Sequence, residues 1–166
     1  MKESLKIKEK ISKYFDPSKL ILDIGCGDQT ITPYAIGVDH RNLPNVKLVA
    51  DIERLDLDHQ EYVGKCDVVL SSHALEHVFD EYGTLKSWIK LLKIGGILIL
   101  YLPDDRYYKD NLTNIEHLRI YNYEVFFRWF DKGFSEMRVL ESGLHVNERM
   151  FDEDCYSFYI ISRKEK

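Results

Sequence analysis

The chain has 166 residues, 45% hydrophobic and 31% charged, with a formal net charge of −5 at pH 7. This supports a real core in one domain of ordinary size, residues 1–166, and the acidic balance gives no overall pull toward phosphate backbones, so a nucleic-acid substrate is not favoured. No apolar run approaches the roughly 18 residues of a membrane span, and the charged start MKESLKIKEK lacks the form of a leader, so a soluble, cytoplasmic protein is expected.

In chain order, Ile7, Ile11, Tyr14 and Phe15 recur at helical spacing and predict an amphipathic helix over about 3–14, closed before Asp16-Pro17. KLILDI, AIGVD, VKLVAD, CDVVLS and GGILILYL follow as five continuous apolar runs. Runs apolar on both faces read as central strands of a parallel sheet with helices on each side. Between the fourth and fifth, Tyr82, Leu85, Trp88, Ile89 and Leu92 form a helical stripe stopped by Lys93 and Gly95-Gly96. A later helix is signalled by Asn122 as N-cap, a staple of Tyr121 on Phe126, and Gly133 just past its end. FSEMRVLES and CYSFYIISR read as a final antiparallel pair of strands joined by Asn147 to Asp154. This alternation predicts a doubly wound α/β fold. The three cysteines, Cys26, Cys66 and Cys155, are far apart and never paired as CxxC, so reduced thiols are expected.

In an open parallel sheet the ligand sits at the carboxyl ends of the strands, so those ends carry the functional information. The first run ends in Asp23-Ile24-Gly25-Cys26-Gly27-Asp28, where glycines permit a tight turn and close backbone approach to a ligand. The second ends at Asp39, where a carboxylate can accept from both hydroxyls of a ribose, with His40 beside it. The third ends at Asp51-Ile52, an acid within reach of an adenine amino group and an apolar side chain for its face. Each acid alone is as consistent with a helix cap; their recurrence at successive strand ends is the signal.

With LDIGCGD, IGVDH, ADIERL, CDVVLSSHALEHV and LLKIGGILILYLPD in this order, the sequence resembles class I S-adenosylmethionine-dependent methyltransferases over about residues 18–141. The resemblance implies a Rossmann-like sheet of seven strands, mostly parallel, with an antiparallel C-terminal strand. It implies that Asp23, Gly25 and Gly27 line the methionine end of the cofactor, Asp39 binds ribose, Asp51 and Ile52 bind adenine, and Ser71, Ser72 and His73 stand beside the sulfonium. A short first crossover, LEHV, Pro103-Asp104 after the fifth run and a histidine ahead of an aromatic helix further resemble a bacterial branch associated with polysaccharide and cell-surface glycan synthesis. That branch implies a sugar, nucleotide-sugar or related small polar acceptor.

Two departures from a dinucleotide fingerprint point the same way. The third glycine is replaced by Thr30, and Asp39 follows Gly27 by only 39 − 27 = 12 residues, where the fingerprint places its acid about 20 residues on. The crossover holding Pro33 must shrink to a turn, which suits a cofactor without phosphate and disfavours an NAD-linked oxidoreductase. A cofactor-binding protein without catalytic activity is the other alternative, motivated by the clipped crossover and the absence of an obvious acceptor domain.

For chemistry, His73 at the fourth strand end is the candidate base, or lines the pocket without moving a proton. His73 and His77 have the spacing of metal ligands, but no third ligand is evident and Glu76 is not placed as in HExxH, so no metal is expected and Glu76 and His77 read as packing residues under the cofactor loop. His117 could reach the acceptor site or remain an exposed loop residue. Acceptor determinants are expected between Tyr101 and Tyr121, where Arg106, Tyr107, Tyr108, Lys109 and Asp110 mix charge with aromatic rings. The fourth strand end reads SSHA rather than the [DNS]PP[YFW] of base-methylating enzymes, and Phe126, Phe127, Trp129 and Phe130 read as core, not a stacking platform.

Overall fold

The computed structural model describes residues 3–108, 114–146 and 156–166. Its strands are β1 (Ile21–Ile24), β2 (Ile36–Asp39), β3 (Val46–Val49), β4 (Cys66–Ser72), β5 (Leu92–Pro103), β6 (Met137–Val146) and β7 (Tyr156–Lys164). Its helices are α1 (Glu3–Lys6), α2 (Lys8–Ile11), α3 (Leu55–Asp58), α4 (Glu81–Leu91) and α5 (Tyr123–Gly133), supplemented by short 3₁₀ turns.

The strands form one seven-stranded sheet in the order β3-β2-β1-β4-β5-β7-β6. Pairing is parallel from β3 to β5, whereas β7 runs antiparallel to both β5 and β6. The order reverses between β1 and β4, which opens the crevice in which such sheets bind their ligands.

Side chains alternate across the pleat, and the two faces are covered by different parts of the chain. Leu22, Ile24, Leu98, Leu100 and Leu102 pack with Leu85, Trp88 and Ile89 of α4 and Phe126 and Phe130 of α5. Ile21, Leu70, Ile99 and Tyr101 pack with Ile7, Ile11, Ile31 and Ala35. Caps set the boundaries: Asp80 accepts from Gly83 N–H at 2.9 Å, and Asn122 from Val125 N–H at 3.3 Å. The Tyr121 and Phe126 rings meet edge to face at 5.0 Å, forming the expected staple.

The first crossover contains no helix. It is tied down from inside, because the Asp23 carboxylate, 2% exposed, accepts from Ile31 N–H at 2.7 Å.

Several expectations are corrected. The N-terminal helix is split at Ile7 into α1 and α2 and ends in a 3₁₀ turn, Ser12–Tyr14. Ile7 and Ile11 are fully buried, and helices this short draw their stability from such seating rather than from a regular ladder. β3 is an edge strand, not a central one, with Lys47 and Val49 facing solvent. Gly133 is the last residue of α5 rather than the one after it. The Asn147–Asp154 connection, Cys155, Lys109 and Asp110 lie outside the described residues.

Candidate active site

At the carboxyl ends of β1, β2 and β4 lies a cavity of about 410 Å³. The ends of β1, β2 and β3 contribute Gly25, Asp39, His40, Arg41 and Ile52 to its lining, and the β4 loop with the segment before α5 contributes His73, Ala74, His77 and Glu116, the two groups meeting where Ala74 lies against Gly25.

The first group is built on the β1 turn. Gly25 has φ +73°, and a Cβ there would collide with that of Ala74, so only glycine lets the turn sit this close to the β4 loop. Gly27, at φ +59°, donates its N–H to Asp39 Oδ2 at 2.9 Å. Asp39 is 3% exposed, and all its acceptor positions are engaged: Oδ1 takes Arg41 N–H and Nε at 3.0 Å each, and Oδ2 takes Gly27 N–H and Arg41 Nη2. Burial alone would raise the Asp39 carboxyl, but the bonds from Arg41 and Gly27 outweigh it and hold the group below the usual carboxylate range. Arg41, 57% exposed, is the residue that sequence reasoning missed here. Its signal was the i, i+2 spacing by which an acid caps its own turn.

Ile52 presents a half-buried side chain to the cavity, while its carbonyl accepts from Trp88 Nε1 at 2.8 Å, which anchors the wall to α4. Asp51 is exposed and caps the following 3₁₀ turn through Glu53 N–H. Asp23, Gly27, Asp51, Ser71 and Ser72 are not among the lining residues. The Ser71 and Ser72 hydroxyls are buried without a hydrogen-bond partner.

In the second group, His73 stands in the left-handed region at φ +52°, a conformation that costs a non-glycine residue about 1–2 kcal/mol. It is held there by its N–H on the Tyr101 carbonyl at 2.9 Å and by Nε2 against Ser157 Oγ at 2.9 Å. Tyr101 and Tyr156 flank the ring, each 5.6 Å away between centroids. Burial, reinforced by Lys6, His117 and His77, lowers its pKa to about 3. The imidazole is therefore neutral at pH 7, and a base this weak is poorly matched to taking a proton at that pH.

The 3₁₀ turn Leu75–His77 directs Glu76 inward and His77 toward the cavity. Glu76 is fully buried, neither carboxylate oxygen has a hydrogen-bond partner, and Oε1 lies 3.5 Å from His73 Nδ1. Burial pushes its carboxyl up to about 8. The segment before α5 closes over this turn, with Leu118 N–H on the Glu76 carbonyl at 2.9 Å and His77 Nδ1 on the Glu116 carbonyl at 2.8 Å. His117 is thereby set against His77, ring centroids 4.8 Å apart, and among the described residues Glu76, His77 and His117 form one cluster of donor atoms. Near the expected acceptor segment, Asp104 is fully buried and takes Arg106 Nε at 2.8 Å and Tyr123 N–H at 2.9 Å, fixing the start of that segment to α5.

A family model described as a methyltransferase domain matches residues 2–146. The chain belongs to that methyltransferase family. It is an S-adenosylmethionine-dependent methyltransferase, which removes the nicotinamide-linked alternative. Among solved structures, a 1,6-didemethyltoxoflavin-N1-methyltransferase from Burkholderia thailandensis with bound S-adenosylhomocysteine is similar at TM-score 0.72 and 13% identity, over 99% of this chain and 80% of that one. An S-adenosylmethionine-dependent methyltransferase from Mesorhizobium loti matches at 0.69 and 14%, over 96% and 98% of the two chains. One from Archaeoglobus fulgidus matches at 0.67 and 15%, over 97% and 94%. No curated protein matches in sequence. At these identities the structures establish the shared fold. The methyltransferase's cavity suits its methyl donor: a glycine turn, a buried acid and an apolar wall meet there, and the helix of a phosphate-binding crossover is missing.

Proposed function

We propose that this methyltransferase acts on a small polar acceptor, a sugar or cell-surface glycan precursor, held on the His73 side of the cavity. The observation that carries this reading is the character of that side: His73, His77 and Glu116 line it, and Tyr108 and Tyr156 stack at 4.6 Å beside it. Polar groups beside stacked rings match a hydroxylated ring with one apolar face. Absence of a helix long and apolar enough to cross a membrane, among the described residues, is consistent with an acceptor taken from water.

When bound, S-adenosylmethionine would supply a methyl group on a sulfonium: an acceptor lone pair would bond to that carbon while the C–S bond breaks with its electron pair staying on sulfur, and the proton of a hydroxyl acceptor would pass to solvent water. In this reading Asp39 accepts the ribose hydroxyls once Arg41 swings aside, Ile52 lies on the adenine, and the Gly25 backbone borders the methionine portion. His73, neutral and held by Ser157, walls the acceptor's place rather than moving a proton, so positioning supplies most of the rate enhancement. Acceptor orientation falls to His117, whose ring lies between Tyr108 and His77.

Titration calorimetry with S-adenosylhomocysteine tests the donor half. Asp39→Ala should weaken binding by about 1.5–3 kcal/mol, the scale of hydrogen bonds to a charged group, and unchanged affinity would remove the ribose role. Radiolabelled donor incubated with cell extract tests the acceptor half. Label is expected in small carbohydrates, and label confined to protein or nucleic acid would refute that class.

A further inference from the structure

We propose that Glu76, His77 and His117 bind a divalent first-row transition-metal ion, and that this ion receives oxygen atoms of the acceptor. The acceptor role rests on the methyltransferase reading above; the metal site itself does not.

The cluster is one carboxylate and two imidazoles whose donor atoms all lie within 4.8 Å of one another. Metal–ligand bonds of about 2.0–2.2 Å need those atoms closer, which side-chain rotations of under about 1 Å per ligand provide. Two features go beyond proximity. The Glu76 carboxyl is fully buried and both its oxygens lack hydrogen-bond partners, with His73 Nδ1 3.5 Å from Oε1; a buried acid in that state either keeps its proton or takes a cation, and a metal ion would supply both the charge and the missing partner. His77 Nδ1 meets a backbone carbonyl, that of Glu116, at 2.8 Å. A carbonyl only accepts, so Nδ1 carries the proton and Nε2 keeps its lone pair, the arrangement typical of a metal-ligating histidine.

The fold also explains how ligands from distant segments meet. Leu118 N–H bonds to the Glu76 carbonyl at 2.9 Å, and together with the His77 side chain on the Glu116 carbonyl this fastens the segment on either side of His117 to the turn bearing the other two. Neither bond uses the His117 side chain, so both persist in a His117 variant.

Two nitrogens and one carboxylate oxygen select Mn²⁺ to Zn²⁺ over Mg²⁺ or Ca²⁺, which prefer all-oxygen shells. Three protein ligands leave coordination positions open. His77 borders the cavity, so open positions on that side face the acceptor, and the chemistry they fit is a pair of neighbouring oxygens, such as a vicinal diol. A hydroxyl bound to the ion would also ionise more readily.

Protein stripped with EDTA and titrated with Co²⁺ tests the site through the visible d–d absorption of the bound ion. One equivalent should bind, with Zn²⁺ displacing it and Mg²⁺ failing to. His117→Ala and His77→Gln should each weaken Co²⁺ binding more than about tenfold, since even outer-shell changes cost 10–100-fold. His59→Ala, remote from the cluster, should bind as the parent does. Glu76→Gln changes a buried group, so His117→Ala on its half-exposed segment is the deciding variant. Absence of the band, or equal affinity in parent and His117→Ala, overturns the proposal. S-adenosylhomocysteine titrated into the same stripped protein separates the two ideas: binding there without Co²⁺ binding sinks the metal site alone, and Co²⁺ binding without it sinks the donor reading alone.

Discussion

Gly25→Ala probes how the cavity is assembled. Alanine at φ +73° costs about 1–2 kcal/mol. The new methyl also drives into Ala74 Cβ, and overpacking of this kind costs about 1–3 kcal/mol. The total is about 2–5 kcal/mol. The two parts separate in a double-mutant cycle with Ala74→Gly: without that methyl, the atom facing the new Cβ is Ala74 Cα at 3.7 Å, an ordinary van der Waals contact. The double variant should therefore recover the overpacking part and keep the conformational part, giving a coupling of about 1–3 kcal/mol. Urea unfolding of the four proteins measures it, provided their m-values agree. Additive losses would show that Gly25 is required for its backbone angle alone and that contact with the β4 loop contributes nothing.

Other outcomes follow from the same geometry. Arg41→Ala frees acceptor positions on Asp39 and should tighten S-adenosylhomocysteine binding two- to five-fold, the worth of a largely exposed ion pair of up to about 1 kcal/mol; weaker binding by calorimetry would give Arg41 a direct role. Asp104→Ala strands the N–H groups of Arg106 and Tyr123 and should cost about 3 kcal/mol, toward the low end for a broken buried pair because Arg106 reaches solvent, lowering Tm by roughly 6–12 °C for a chain of this size. Burial raises the Asp104 carboxyl, but the bonds from Arg106 and Tyr123 more than reverse this and leave it lowered. Its contribution is thus present above the unfolded carboxyl pKa of about 3.9 and lost as pH falls through the lower folded value, so the stability gap between parent and Asp104→Asn should narrow progressively as pH is taken below about 3.9. The His73 ring, lowered to about 3 by burial, should keep the ¹⁵N shifts of a neutral imidazole from pH 8 to pH 5, and titration near 6.5 would contradict its placement.

Much of the fold was legible because the chain states it locally. The runs ending at Asp23, Asp39 and Ser72 are apolar on both faces because their strands are buried on both faces, and the Asn122 cap and Tyr121–Phe126 staple lie within a few residues of each other. Pro33 and the short spacing from Gly27 to Asp39 already excluded a first crossover helix. What was not local was misread. VKLVAD has the composition of a buried strand, yet edge or centre is decided by what pairs beyond it, and among the described residues no strand pairs beyond β3. The α1–α2 break likewise depends on where Ile7 and Ile11 seat against Ile99 and Tyr101, in a strand distant in the sequence.

The site divides along the same line. Gly25, Asp39, Ile52 and His73 end successive strands, so parallel topology alone brings them to one cavity. Asp23 and Asp51 end strands too, but Asp23 points into the sheet's own turn and Asp51 into solvent, and period-two alternation does not decide what a side chain meets once the strand has ended. Spacing within the β4 loop offers His73 and His77 as one ligand pair. The structure instead pairs His77 with His117, because Nδ1 of His77 and the backbone of Glu76 are claimed by the segment that carries His117. A cluster assembled by hydrogen bonds between separate segments leaves no spacing in either one. The buried, unpartnered carboxylate of Glu76 is what marks it, and burial is a property of the folded chain alone.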